Sequence, residues 1–224
     1  MSQPPRSLDE LLTPAAVVDL ARMEANLDRM ATYVGDAGLR LRPHTKTHKT
    51  PELAAEQVRR GAIGVTVATL REAEVMATVA PDILLAHPPV GTPKLQRLFG
   101  LPETARITVG LDSTEALNGL AAAAREHGRR IGVLIEIDAG MHRVGIADPH
   151  AAAALATTVA DHAYLEWRGL MFYPGHIREH VAEQTPALQE LAATVAAHRE
   201  ALAHAGLEPA TVSGGSTPAA FGSH

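Results

Sequence analysis

Of the twenty lysines and arginines in the chain only three are lysine, and two of these, Lys46 and Lys49, fall within Arg42-Pro43-His44-Thr45-Lys46-Thr47-His48-Lys49-Thr50. Arginine stays protonated and cannot act as an amine nucleophile, whereas a desolvated lysine can lose its proton. If the stretch runs extended, alternation puts Arg42, His44, Lys46 and His48 on one face and Lys49 on the other. Four basic groups projecting together are costly unless something anionic meets them. The competing reading is a solvated basic loop. The scarcity of lysine elsewhere favours a site.

Three further stretches carry polar residues of the wrong kind for plain turns. In IEIDAGMHRVGI, Glu136 and Asp138 alternate with apolar residues, Gly140 permits a turn, and Arg143 follows. In GLMFYPGHIREH, Tyr173 and His176 stand just past an apolar run. The same run spells His176-x-x-Glu179-His180, an inverted zinc-peptidase signature that needs a helix and a third ligand. In VSGGSTPAA, Ser213, Gly214, Gly215, Ser216 and Thr217 follow a short apolar run, and Thr217-Pro218 has the form of a helix start. Glycines let backbone amides converge, hydroxyls add donors, and a helix N-terminus favours an anion. A lysine, a polar cluster and a phosphate cradle are the set that a phosphorylated aldehyde such as pyridoxal phosphate requires.

These residues need elements to position them. Strand candidates are PAAVVDL, LRLRPH, GVTVAT, DILLAHP, RITVGLDS, GVLIEID, RGLMFYPGH and ATVSGG, several nearly continuous in apolar residues, as buried parallel strands are. Between them lie helical spacings such as Leu20, Met23, Leu27, Met30 and Val34. Helix starts repeat one device, a capping residue before proline, at Thr50-Pro51, Thr92-Pro93, Asp148-Pro149 and Thr185-Pro186. Thr69 with Glu72 forms a capping box, and Gly128 and Gly206 close helices. Repeated βα units mean an α/β fold with a parallel sheet. No G-x-G-x-x-G follows the first strand, so a TIM-type (β/α)8 barrel is expected over a doubly wound sheet. Active residues then sit at the C-terminal ends of the strands.

The bulk composition is that of a soluble globular chain, 46% apolar and 20% charged. A net charge of −5 with scattered arginines argues against a nucleic-acid partner. The chain contains no cysteine, which removes disulfides, thiolate metal sites and cysteine nucleophiles. Nothing reads as a signal peptide or membrane span, so the expected location is cytoplasmic.

The motifs RPHTKTHK, GVTVATLREAEV, DILLAHPPVG, IEIDAGMHRVGI, GLMFYPGH and VSGGSTP resemble, in order and spacing, the D-threonine aldolase and D-serine dehydratase group. These are fold-type III pyridoxal phosphate enzymes related to alanine racemase through its N-terminal barrel. The resemblance covers the chain from about Leu12 onward and implies a lyase acting on D-β-hydroxy amino acids, by retro-aldol cleavage or by dehydration. It implies that Lys46 forms the Schiff base, that Arg143 and Tyr173 contact the cofactor with His176 beside them, and that Ser213 to Thr217 bind its phosphate. The resemblance also implies that residues 1–224 form a barrel domain stopping short of a C-terminal β domain. That missing part would carry the ligands of a divalent metal and complete a homodimer, and AVVDL would belong with it, leaving seven barrel strands. Two other readings compete: a non-catalytic pyridoxal phosphate carrier of about this length, and a zinc hydrolase using His176, Glu179 and His180.

Overall fold

In the computed structural model, which describes residues 7–222, six of the apolar runs become strands: β1 (Val65–Val67), β2 (Asp82–Leu85), β3 (Arg106–Leu111), β4 (Ile131–Glu136), β5 (Leu165–Met171) and β6 (Thr211–Ser213). Every neighbouring pair is parallel, and the order across the sheet is the order along the chain. A doubly wound sheet reverses direction at a switch point. Here no reversal occurs, so each crossover carries the chain one strand further round, as in a barrel.

The helices are α1 (Leu20–Asp36), α2 (Pro51–Arg59), α3 (Leu70–Met76), α4 (Thr92–Phe99), α5 (Thr114–Glu126), α6 (Pro149–Ala160) and α7 (Thr185–His204). Prolines stand in the first turn as expected, but of the four residues placed before them only Asp148 caps with its side chain. Thr50 is the α2 N-cap without a side-chain bond, and Thr92 and Thr185 are themselves first helical residues, after Gly91 and Gln184. Asp148 accepts from the His150 amide ahead of Pro149, Thr69 accepts from the Glu72 amide, and the Glu72 carboxylate reaches back to the Ala68 amide at 2.8 Å. Gly128 and Gly206 follow the C-caps of α5 and α7 with positive φ.

Side chains alternate between two environments along each strand. Ile83, Leu85, Ile107, Val109, Leu111, Val133 and Ile135 point outward into the main core, against helix residues such as Leu98, Leu117, Leu120 and Val159. Leu84, Leu134 and Met171 point inward and form a separate small cluster on the concave face. Curvature is visible in contacts that skip a strand: a Cβ on Gly110 would meet the Met171 sulfur, and Arg168 reaches Thr108 across β4.

That reach comes from a β-bulge. Val133 pairs with Trp167 and Leu134 with Gly169, so Arg168 has no partner on β4. The extra residue turns the arginine into the barrel, over Gly132, where a Cβ would occupy the guanidinium's place. Gly169 then takes φ +132°, and a Cβ there would lie 2.0 Å from the Thr211 carbonyl oxygen on β6.

Three expected elements differ. LRLRPH makes only an isolated bridge, His44 to Thr66, because Pro43 has no N–H to continue the ladder. The Ile63 amide bonds to the Leu41 carbonyl and the Thr45 amide to the Thr66 carbonyl, both at 2.9 Å, so the segment still lies in the place of a first barrel strand. PAAVVDL forms no strand; Val17 and Val18 are exposed and Asp19 caps α1. After Thr217-Pro218 the chain makes turns rather than a helix.

Substituting Gly169→Ala is expected to lower stability by on the order of 3 kcal/mol, since it combines a disfavoured φ with a clash against β6 backbone. Urea unfolding measures this as a lower midpoint at unchanged slope.

Candidate active site

Parallel pairing in chain order delivers all the C-terminal strand ends to one rim, and the loops leaving that rim carry the polar residues. The first turn departs from simple alternation. Beyond the bridge at His44, the Lys49 amide bonds to the Thr45 carbonyl at 2.8 Å, closing Thr45–Lys49 into one tight turn. Thr45 is fully buried and its hydroxyl donates to the Thr66 carbonyl at 3.3 Å. The four basic groups expected on one face therefore separate. Arg42 pairs with Asp82 at the opposite end of the barrel. The His48 Nδ1 accepts the Thr50 amide at 3.1 Å.

The turn also assigns the two lysines. Lys49 adopts φ +52° and its ammonium is ion-paired to the buried Glu72 carboxylate. Burial acts to raise the Glu72 carboxyl, but Lys49 and the Ala68 amide hold it below its ordinary value. Lys46 has no ion pair among the described residues; its Nζ lies 5.0 Å from the centre of the Tyr173 ring. Arg143 lies over the same ring, also at 5.0 Å. Three residues singled out in the sequence thus meet at one aromatic ring, where each cation is attracted by the ring quadrupole.

His44, which the motif reading did not assign a role, supports the lysine. Its Nδ1 accepts the Lys46 amide at 3.2 Å. Burial first, then the charge of Lys46, pushes its ring down to about 4, so the imidazole is neutral and its hydrogen sits on Nε2. A half-buried neutral ring ahead of a lysine has no periodicity of its own, so sequence offers no signal for it beyond the motif.

The loop after β4 is built on Asp138. Its carboxylate accepts from the amides of Gly140 and His142, both at 3.0 Å, and from the His142 ring at 2.8 Å. Burial acts to raise the Asp138 carboxyl, yet these bonds hold it below its ordinary value. They turn the chain so that Arg143 faces Tyr173. Glu136, pointing inward at the end of β4, shares a cavity of only about 10 Å³ with Asp138, Arg143 and Tyr173. Its carboxyl is pushed up to about 7, chiefly by burial and then by the charge of Asp112, with Arg143 opposing.

Tyr173 stands two residues past the end of β5, and the amide of Phe172 between them donates to the Ser213 carbonyl at 3.0 Å, so the serine–glycine turn leaves β6 beside it. A Cβ on Gly214 would enter the Phe172 ring, and Gly215 has φ +124° with open space around it. The Ser216 hydroxyl is buried and has no partner among the described residues. His176 is exposed and packs on Gly140, its ring 3.2 Å from where a Cβ would stand.

The zinc arrangement does not form. Residues 176–180 are irregular rather than helical, Glu179 accepts from the Arg178 amide at 2.9 Å, and no group of three His, Asp or Glu among the described residues is placed to hold a metal.

Comparison with known proteins identifies the family and the fold. The family model described as "Alanine racemase, N-terminal domain" matches residues 18–224. A D-threonine aldolase from Arthrobacter sp is 33% identical over 98% of this chain and 59% of that protein. A D-threo-3-hydroxyaspartate dehydratase from Delftia sp. (strain HT23) is 39% identical over 93% of this chain and 56% of its own length. The crystal structure of D-threonine aldolase from Filomicrobium marinum superposes with a TM-score of 0.92 at 35% identity, covering 99% of this chain and 62% of that one. The chain therefore spans rather more than half the length of the relatives it matches.

Because the Glu136 carboxyl holds its proton up to about 7 when folded but only to about 4.5 when free, folding is progressively penalised as pH rises between those values. Glu136→Gln cannot ionise. The variant is expected to gain stability relative to wild type across that window, by about 3 kcal/mol above it, measured as the difference between urea midpoints at pH 4 and pH 8.

Proposed function

Because the chain belongs to the alanine racemase N-terminal domain family, we propose that residues 1–224 form the cofactor-binding barrel of a pyridoxal phosphate-dependent lyase acting on D-β-hydroxy amino acids. The observation that carries this reading is the convergence of Lys46 and Arg143 on the Tyr173 ring. The residues present fit the cofactor in two further respects. Two cations without ion-pair partners among the described residues, beside a carboxyl whose burial favours its protonated form, leave the rim in need of an anion. The buried Ser216 hydroxyl, without a partner among the described residues, and the open Gly215 backbone supply donors where a phosphate would sit.

Lys46 would hold the cofactor through its amine, Tyr173 would face it, Arg143 would meet its ring oxygen, and Ser213 to Thr217 would take the phosphate. When bound, pyridoxal phosphate supplies an aldehyde that captures an amine and a conjugated ring that accepts electron density from the substrate Cα. The remaining work falls to this chain. Neutral His44 fixes the Lys46 backbone without placing a further positive charge beside its amine. Once its amine is free, Lys46 Nζ moves a proton at the substrate Cα. His176, exposed over Gly140, is the imidazole available for the β-hydroxyl proton.

Proton removal from the β-hydroxyl leads to cleavage between Cα and Cβ. Proton removal from Cα leads to loss of the hydroxyl as water. The relatives' names include both outcomes, an aldolase and a dehydratase. The additional length of those relatives, in this reading, completes the site with metal ligands and a dimer partner.

Mixing the purified chain with pyridoxal phosphate is expected to produce a visible chromophore that borohydride reduction fixes on Lys46, identified by peptide mapping. Lys46→Ala should lose the label, and Lys49→Ala should retain it. A label confined to Lys49 or Lys94 would overturn the site. Tyr173→Ala is expected to weaken cofactor affinity roughly tenfold, the order of one desolvated cation–π and packing contact, followed by absorbance titration.

A further inference from the structure

At the end of the barrel opposite the rim, the N-terminal ends of β3, β4 and β5 surround a cleft of about 460 Å³, lined by Arg106, Arg129, Arg130 and Arg168, with Glu103 as its acidic residue. The chain as a whole carries a net −5, so this concentration of guanidinium groups is a local reversal of charge.

The four arginines are not equally committed. Arg129 is spent on backbone, its terminal nitrogens donating to the carbonyls of Leu101, Pro102 and Ala105. Arg168 donates to the Thr108 hydroxyl and to Glu166. Arg106 contacts Asp82 through Nε at 3.1 Å, leaving both terminal nitrogens without a partner among the described residues. Arg130 has no carboxylate partner there, and its single bond is a 3.5 Å contact to the Leu165 carbonyl. The carboxylates nearby do not balance this end. Asp82 is shared between Arg42 and Arg106, while Glu166 pairs with Arg168 and also feels the charges of Arg130 and Arg106. Arg42 sits below its ordinary value, chiefly through burial, and the charges of Arg168 and Arg106 press in the same direction.

We propose that this cleft is a binding site for a small doubly charged oxyanion of the phosphate type, gripped by Arg106 and Arg130 and backed by Arg168. Guanidinium groups meet phosphate through paired, parallel hydrogen bonds, which is the geometry that free terminal nitrogens offer. The bulge that turns Arg168 inward, and the missing side chain at Gly132 that admits it, put a third positive charge behind the cleft. The C-terminal end of α5 also borders it, but a helix end carries only about half a unit of negative charge, less than one guanidinium supplies in the opposite sense. This site is separate from the serine–glycine turn on the other rim, and it does not depend on the lyase reading.

Calorimetric titration of the purified chain with inorganic phosphate, at constant ionic strength maintained with chloride, tests it. Saturable binding is expected, weakened at least tenfold by Arg130→Gln and by Arg106→Gln and retained in Ser216→Ala. Arg130→Gln breaks no ion pair, so loss of fold does not confound it. A parallel titration with glycerol phosphate separates free phosphate from a phosphate ester, and a saturable response to either that requires these arginines supports the site. No saturable response above the chloride control, or an affinity that neither arginine variant changes, overturns it.

Discussion

Parallel pairing of the strands in chain order is the constraint from which the arrangement follows. Each crossover has the same sense and advances one strand, so every C-terminal strand end arrives at one rim and every N-terminal end at the other. Lys46, Arg143, Tyr173 and the serine–glycine turn are far apart along the chain, yet each lies just past a strand or strand-like segment. Hydrogen bonds between neighbouring strand ends, such as the Phe172 amide to Ser213, set their spacing. Regular backbone pairing thus does most of the work of assembling the site, and side chains refine it.

At that rim, refinement is largely a matter of charge. A KxxK pair placed on a flexible loop would present two equivalent amines. Here the turn closed between Thr45 and Lys49 commits one of them to Glu72, itself held by the α3 helix start, and leaves the other against Tyr173. The Asp138 carboxylate does the same for the next loop, spending its acceptors on two amides and an imidazole so that Arg143 turns toward the ring. Glu136 does not neutralise the two cations fully, because burial and Asp112 favour its protonated form. An unbalanced positive rim is the electrostatic condition for holding an anionic cofactor.

The opposite end is cationic for a different reason. Barrel interiors are usually filled with branched apolar side chains, and the middle of this one is, with Leu84, Leu134 and Met171. Below them a bulge and a side-chain-free position bring Arg168 into a layer that already holds Arg42, Asp82 and Arg106. Burying such a layer without sufficient carboxylates is unfavourable, and exposure of Arg106 and Glu166 to water reduces that cost.

Local signals along the chain were enough to identify the βα rhythm, six of the strands, the helix starts at proline and the helix ends at Gly128 and Gly206. Each of these depends on φ, on capping or on apolar alternation within a few residues. The motif residues that gather at the rim were legible for the same reason, since they follow strands. What the local pattern could not contain was the partner of each group. Alternation through Lys46 failed because one hydrogen bond closed a turn, and Pro43 broke a ladder whose other strand lies twenty residues on. The tertiary structure alone decided that Lys49 meets Glu72, that His44 stays neutral beneath Lys46, and that a bulged Arg168 crosses β4. Coulomb forces, burial and backbone pairing act through space, whereas the pattern in a sequence records only what neighbours along the chain impose.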